Sequence, residues 1–152
     1  MKSINFQKYQ GNGNDFIIID SRSSNFFEEL QLNESFKVSN LCNRQYGIGA
    51  DGIIFILSAQ KDNDARMIIY NSDDSEAEMC GNGIRCLIEY LSNTSNEIKK
   101  EYKIETKAGL KVGKYNCGEI TVNMGKPIFE SKLIPTFINK EINSLPSKLF
   151  EW

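Results

Sequence analysis

Hydrophobic and polar positions divide the chain into many short segments. Ile4, Phe6 and Lys8, alternating with polar Asn5 and Gln7, predict a first short strand, and Gly11 and Gly13 mark a turn after it. Phe16 to Ile19 is an unbroken apolar run and predicts a buried strand. Phe26, Phe27, Leu30 and Leu32 fit a short helix or turn. Ser35 is placed to cap a helix from Phe36 to Cys42. The segment from Asn43 to Gly52, with three glycines, reads as a loop. Ile53–Leu57 and Arg66–Tyr70, joined by polar Gln60 to Asp64, predict a hairpin. Tyr102–Thr106, Leu110–Val112 and Glu119–Val122 read as further strands, with turns at Ala108-Gly109 and Tyr115 to Gly118.

The most apolar helical pattern is Ile84, Leu87, Ile88 and Leu91, which predicts a helix from Asn82 to Leu91, closed by Ser92 to Asn96. Asn82 is a good capping residue, so Cys80 is expected in the turn just before the helix N-terminus. Backbone N–H groups there lack intrahelical partners and the helix dipole favours negative charge, so a thiolate or a bound carboxylate is stabilised at that point. Short strands wrapped around one very apolar helix predict an α+β domain with a short-stranded mixed sheet.

Composition narrows the function classes. The chain has 152 residues, 40% hydrophobic and 25% charged, and a net charge of −2, enough for one domain with a real core and without the basic surface that nucleic acid requires. Lys99, Lys100 and Lys103 are interleaved with Glu97, Glu101 and Glu105, as on a solvated face. Cys42, Cys80, Cys86 and Cys117 form no CxxC pair, and histidine is absent, so a zinc site is not expected. Apolar runs such as Ile53–Leu57 are too short to span a membrane, and no signal peptide is visible, so a cytoplasmic protein with reduced thiols is expected. Gly47 to Gly52 matches G-x-G-x-x-G, but it follows a helical or loop segment and opens a strand, the wrong context for a dinucleotide site. After Met124, Gly125, Pro127, Pro135 and Pro146 punctuate a weakly periodic apolar tail that includes Ile128, Phe129, Leu133, Ile134, Phe137, Ile138 and Leu149 to Trp152.

Three blocks, GNGNDFIIID from Gly11 to Asp20, NRQYGIGADG from Asn43 to Gly52 and SEAEMCGNGIRC from Ser75 to Cys86, resemble signatures of the diaminopimelate epimerase family, in the right order and at plausible spacing. The resemblance implies an isomerase of lysine and peptidoglycan precursor synthesis, working on LL-diaminopimelate without pyridoxal phosphate, metal or other cofactor. One cysteine thiolate removes the α-proton, and a second cysteine returns one on the other face. Cys80 maps to one of that pair. Gly81 and Asn82 map to backbone donors for the substrate carboxylate, and Asn14 and Asn71 to substrate hydrogen-bonding amides. Asp15 is expected to fix its loop, and Arg44 to pair internally or line the cleft entrance. Gln10 stands where the family often has histidine, and Asp74 where it usually has glycine; if that position needs positive φ, Asp tolerates it better than most residues but less well than glycine.

The resemblance also implies two lobes of comparable size, with residues 1–118 as the first and 119–152 as an incomplete start of the second. The apolar tail is then left without a partner in cis, a patch that predicts disorder, a partner chain or aggregation. A homodimer is common in the family. The second family cysteine has no counterpart here: Cys86 lies inside the same helix as a packing residue, and Cys42 and Cys117 lack catalytic-turn neighbours. The isolated chain is therefore expected not to epimerise. Competing readings are another two-cysteine racemase, such as one for proline or hydroxyproline; a fold relative isomerising a metabolite that is not an amino acid; and a non-catalytic fragment that assembles with a partner chain.

Overall fold

The computed structural model describes residues 4–134; the expectations for 135–152 fall outside them. Strands β1 (Gln7–Gly11) and β2 (Asn14–Asp20) form a hairpin, followed by helices α1 (Phe26–Gln31) and α2 (Val38–Cys42). Then come β3 (Gly52–Leu57), β4 (Ala65–Asn71), the two-residue β5 (Glu76–Ala77) and the long helix α3 (Gly81–Thr94). Strands β6 (Glu101–Thr106), β7 (Gly109–Asn116) and β8 (Glu119–Asn123) precede a single 3-10 turn at Ser131–Leu133.

All strands join one mixed sheet in the order β1-β2-β3-β4-β6-β7-β8, with β5 paired to β4. The β2–β3 and β4–β6 pairs are parallel and the rest antiparallel. The two parallel pairs need crossovers, and these carry the helices. The β2–β3 crossover holds α1 and α2; the β4–β6 crossover holds β5 and α3. Each crossover covers one face. Phe16, Ile18, Ile54, Ile56, Met67 and Ile69 pack with Ile84, Leu87, Ile88 and Leu91 of α3. Ile17, Ile19, Ile53, Phe55 and Leu57 pack with Phe27, Val38 and Cys42 of α1 and α2. Burial on both faces explains why β2 and β3 read as continuous apolar runs rather than alternating ones.

The opposite edge strands β1 and β8 both pack against α3, so the sheet curls round the helix. Tyr9 meets Tyr90 edge-on with ring centroids 6.1 Å apart. Gly113 in β7 lies directly under Ile88, leaving no room for a Cβ. The expected α+β lobe, a short-stranded mixed sheet around an apolar helix, is the architecture observed, with α1 and α2 as an added outer layer. Strand β8 pairs with β7 from Asn116↔Glu119 to Val112↔Asn123, so the sheet continues beyond residue 118.

Several boundaries differ from expectation. The first strand begins at Gln7, not Ile4, and Phe6 is 43% exposed. The two-residue turn at Asn12 (φ 53°) and Gly13 (φ 90°) sets the register from Gly11↔Asn14 to Gln7↔Ile18. Helix α2 begins at Val38 rather than Phe36, because Asn33 draws the Ser35 and Phe36 N–H groups into its own turn. Its Ser39 N–H donates instead to the distant Asp74 carboxylate at 3.0 Å. Helix α3 runs on to Thr94, where Ser92 and Thr94 hydroxyls donate back to carbonyls of the preceding turn. Strand β7 is longer than read and β5 escaped notice, being two residues long. Among the described residues, no helix is long and apolar enough to cross a membrane.

Candidate active site

Helix α3 begins one turn-residue earlier than its sequence suggests. Cys80, with φ −139° and ψ 121°, is the N-cap, and its Sγ accepts the Gly83 N–H at 3.4 Å. Asn82, expected as the cap, lies in the first helical turn. The physical reason is that the cysteine sulfur, though a weak acceptor, reaches the Gly83 N–H from the place where a serine oxygen sits in other caps. The first intrahelical bond runs from Ile84 N–H to the Cys80 carbonyl at 2.9 Å. The N–H groups of Gly81 and Asn82 precede that bond at the positive end of the helix. Cys80 is half-buried, reachable rather than sealed in the core.

Glycines let this turn sit close to its neighbours. A Cβ on Gly83 would lie 3.2 Å from the Cδ1 atoms of Ile54 and Ile69, so the bare backbone lets α3 settle on β3 and β4. Opposite Gly81 stands the Met124 thioether, 3.3 Å from where a Cβ would be.

Asn14 and Asn82 come together across 68 positions of sequence. Asn82 Nδ2–H donates to Asn14 Oδ1 at 2.7 Å. Asn14 Nδ2–H donates to Asp51 Oδ2 at 3.3 Å, while Asn82 Oδ1 accepts from Arg85 Nη1 at 2.8 Å and Asn12 Nδ2 at 3.2 Å. Asn71, at the end of β4, pairs with Gly52 in register, and its Nδ2–H donates to Ser75 Oγ at 3.0 Å. Ser72 N–H donates to the Asp51 carbonyl at 3.1 Å, which ties this loop to the Asn14 side of the site.

Behind the amides lies an ion cluster. Arg44 donates to Asp15 at 2.6 and 3.0 Å and to Asp51 at 2.8 Å, and Lys8 pairs with Asp15 at 2.9 Å. The Arg44 bonds, with Lys8 assisting, outweigh burial and hold the Asp15 carboxyl well below the usual carboxylate range. Asp15 thus fixes its loop and Arg44 pairs internally. Gln10 Oε1 accepts the Gly13 N–H at 3.4 Å. Asp74 does adopt positive φ, 69°, and hydrogen bonds from Ser39 hold its carboxyl below the usual value.

The other cysteines lie elsewhere. Cys86 is buried in α3, and burial pushes its thiol up to about 11. Cys42 is buried at the end of α2 and is likewise pushed up to about 11. Cys117 is exposed in the β7–β8 turn with φ 48°. The G-x-G-x-x-G stretch precedes β3 directly and opens no helix. Among the described residues, no group of three or more His, Cys, Asp or Glu side chains could hold a metal ion.

A cavity of about 310 Å³ lies between α1, α2 and the sheet, lined by Phe27, Phe36, Phe55 and Tyr70 among others; Cys80, Asn14, Asn71, Gly81 and Asn82 do not line it. Sequence reasoning missed Asp51, Arg85 and Met124. The first two lie within the signature blocks, yet nothing in their residue types announces the hydrogen bonds they make. Met124 lies 43 residues beyond Gly81, and no local pattern links them.

The diaminopimelate epimerase family model matches residues 6–130. A diaminopimelate epimerase of Prochlorococcus marinus (strain NATL1A) is 56% identical over 135 residues, covering 87% of this chain and 47% of its own length. One from Thermosynechococcus vestitus is 46% identical over 139 residues, covering 88% and 47%. Among solved structures, a PhzF-family phenazine biosynthesis protein of Bacillus anthracis superposes with a TM-score of 0.57 at 26% identity, over 80% of this chain and 40% of that one. A hydroxyproline epimerase from Agrobacterium vitis gives 0.56 at 17% identity, over 77% and 39%, a likeness of fold. The chain thus spans about half the length of the curated relatives it matches. The match over residues 6–130 and the similarity to these epimerases show that the chain belongs to the diaminopimelate epimerase family.

Proposed function

We propose that this chain supplies one of the two acid–base cysteines of a cofactor-independent epimerisation of LL-diaminopimelate to meso-diaminopimelate, and that Cys80 is that cysteine. The single observation that carries the reading is the half-buried Cys80 sulfur at the N-cap of α3, at the head of the helix whose first turn holds the Asn14–Asn82 amide pair. Inversion needs one thiolate to take the Cα proton and one thiol, on the opposite face of the planar carbanion, to give a proton back. The substrate carboxylate is held by the Gly81 and Asn82 N–H groups, and Asn14 and Asn71 serve its polar groups. Positive helix-end charge favours the substrate carboxylate at this point.

The opposing thiol comes from outside residues 4–134. Cys86 is buried in the same helix, Cys42 is buried at the end of α2, and Cys117 is exposed in the β7–β8 turn. The first lobe then runs through β8, which closes the sheet at Asn123, and the segment after it leads towards the second. The test is α-proton exchange of LL-diaminopimelate in D₂O by the 152-residue chain alone. No exchange above background is expected. Fast exchange that is lost on Cys80→Ser would overturn the claim of an external partner thiol.

A second reading, assembly with a partner chain, is favoured by Met124, Ile128, Phe129 and Leu133, which are between 47% and 65% exposed. Sedimentation velocity tests it: a concentration-independent monomer argues against self-assembly, and a dimer supports it.

A further inference from the structure

Three hydrogen bonds around Asn14 and Asn82 share one direction. Arg85 Nη1–H donates to Asn82 Oδ1, Asn82 Nδ2–H donates to Asn14 Oδ1, and Asn14 Nδ2–H donates to Asp51 Oδ2, at 2.8, 2.7 and 3.3 Å. The ends of this chain are chemically one-way. A guanidinium has donors and no acceptor; an ionised carboxylate has acceptors and no donor. An amide between them has a single orientation that satisfies both neighbours. Flipping Asn14 would turn its carbonyl oxygen towards Asp51 and its NH₂ towards the Asn82 NH₂. Flipping Asn82 would set its NH₂ against Arg85. Asn12 Nδ2–H adds a second donor to Asn82 Oδ1 at 3.2 Å and points the same way.

We propose that Asp51 and Arg85 are positioning residues that lock the amide orientations of Asn14 and Asn82 from opposite ends of this one-way chain. Hydrogen bonds in series polarise one another, and opposite charges at the two termini reinforce the same direction. Arg44 holds the Asp51 carboxylate in place through Oδ1, leaving Oδ2 for Asn14 and the Asp15 N–H. With both Asn82 Oδ1 positions occupied, Asn82 has only an N–H left to offer a ligand. Asn14 keeps one N–H and one acceptor position. The role in substrate handling rests on the proposed function; the locking itself does not.

The test is the side-chain ¹⁵N–¹H₂ spectrum of the full chain in wild type, Asp51→Asn and Arg85→Met, with backbone amide spectra recorded in parallel. Long-range action predicts that each variant shifts or broadens both the Asn14 and the Asn82 NH₂ pairs, with their water exchange accelerated several-fold, while the α3 backbone resonances beyond the first turn stay put. Asp51→Glu should restore part of the wild-type Asn14 signal. The proposal is overturned if Asp51→Asn leaves Asn82 unchanged or Arg85→Met leaves Asn14 unchanged. It is also overturned if the effects spread through the sheet as general unfolding, with Asp51→Glu no better. Absence of diaminopimelate turnover would bear on the proposed function and leave this readout intact.

Discussion

Cys80 and Gly83 are joined by a backbone-to-sulfur hydrogen bond of 3.4 Å, so the proposed acid–base thiol is also the cap of its own helix. These two roles separate on mutation. Cys80→Ala removes both, and loss of the cap should lower stability by about 1 kcal/mol. Cys80→Ser keeps an acceptor at the cap and should fold as stably as wild type, while lacking the thiol. Thermal or urea unfolding of the two variants checks the difference.

The cysteines should differ sharply in reactivity. Burial holds Cys42 and Cys86 as neutral thiols up to about 11, so iodoacetamide at pH 8 should leave both unmodified. Exposed Cys117 and half-buried Cys80 should be labelled. Peptide mass mapping reads the outcome directly. The same shifts bear on stability. A thiol whose pKa is higher folded than unfolded contributes below its unfolded value and loses that contribution as pH rises through about 11. The protein should therefore weaken in alkali between roughly pH 9 and 11.

At the acid end the sign is reversed. Arg44 and Lys8 hold Asp15 ionised well below its unfolded value. Its contribution is complete above about pH 4 and is lost as pH falls below that. Asp15→Asn should flatten the acid limb of the stability curve and lower stability at pH 7. Urea midpoints measured from pH 2 to 7 test this.

Two glycine substitutions should rank clearly. A Cβ on Gly47 would collide with the carbonyl oxygens of Asn40 and Leu41, backbone atoms that cannot retreat. Gly47→Ala should cost more than about 4 kcal/mol. At Gly113 the collision is with the flexible end of Ile88, so Gly113→Ala should cost about 1–3 kcal/mol as the side chain gives way. Equal losses would contradict the account.

Asp74 trades backbone ease for a tether. Its φ of 69° suits glycine, yet its carboxylate accepts the Ser39 N–H at the start of α2. Asp74→Gly should be near neutral, because the backbone gain offsets the lost bond. Asp74→Ala loses the bond and keeps the strain, and should cost about 1–2 kcal/mol.

Much of the fold was legible because its strongest signals are local. The apolar runs of β2 and β3 and the 3.6-residue spacing of Ile84, Leu87, Ile88 and Leu91 need no tertiary knowledge. Boundaries failed where a distant group intervened. Asp74, 35 residues away, supplied a partner for the Ser39 N–H that α2's own sequence lacks, while the local Asn33 turn held the Ser35 and Phe36 N–H groups outside the helix. The site residues were visible through their signature blocks, but their geometry was not. Asn12, Asn14 and Asp51 meet Asn82 and Arg85 only because β1, β2 and β3 lie beside the start of α3. Sulfur capping escaped because Asn82 is the better cap by residue type, and Cys80 by place.

The central claim, that Cys80 is one thiol of an otherwise distant pair, is tested most directly by completing the site. Residues 1–152 would be joined in frame to the portion of a close relative that this chain does not span, and α-proton exchange of LL-diaminopimelate followed in D₂O. The account predicts exchange by the joined protein and none above background once Cys80 is replaced by serine. Undiminished exchange by a folded Ser variant would contradict it.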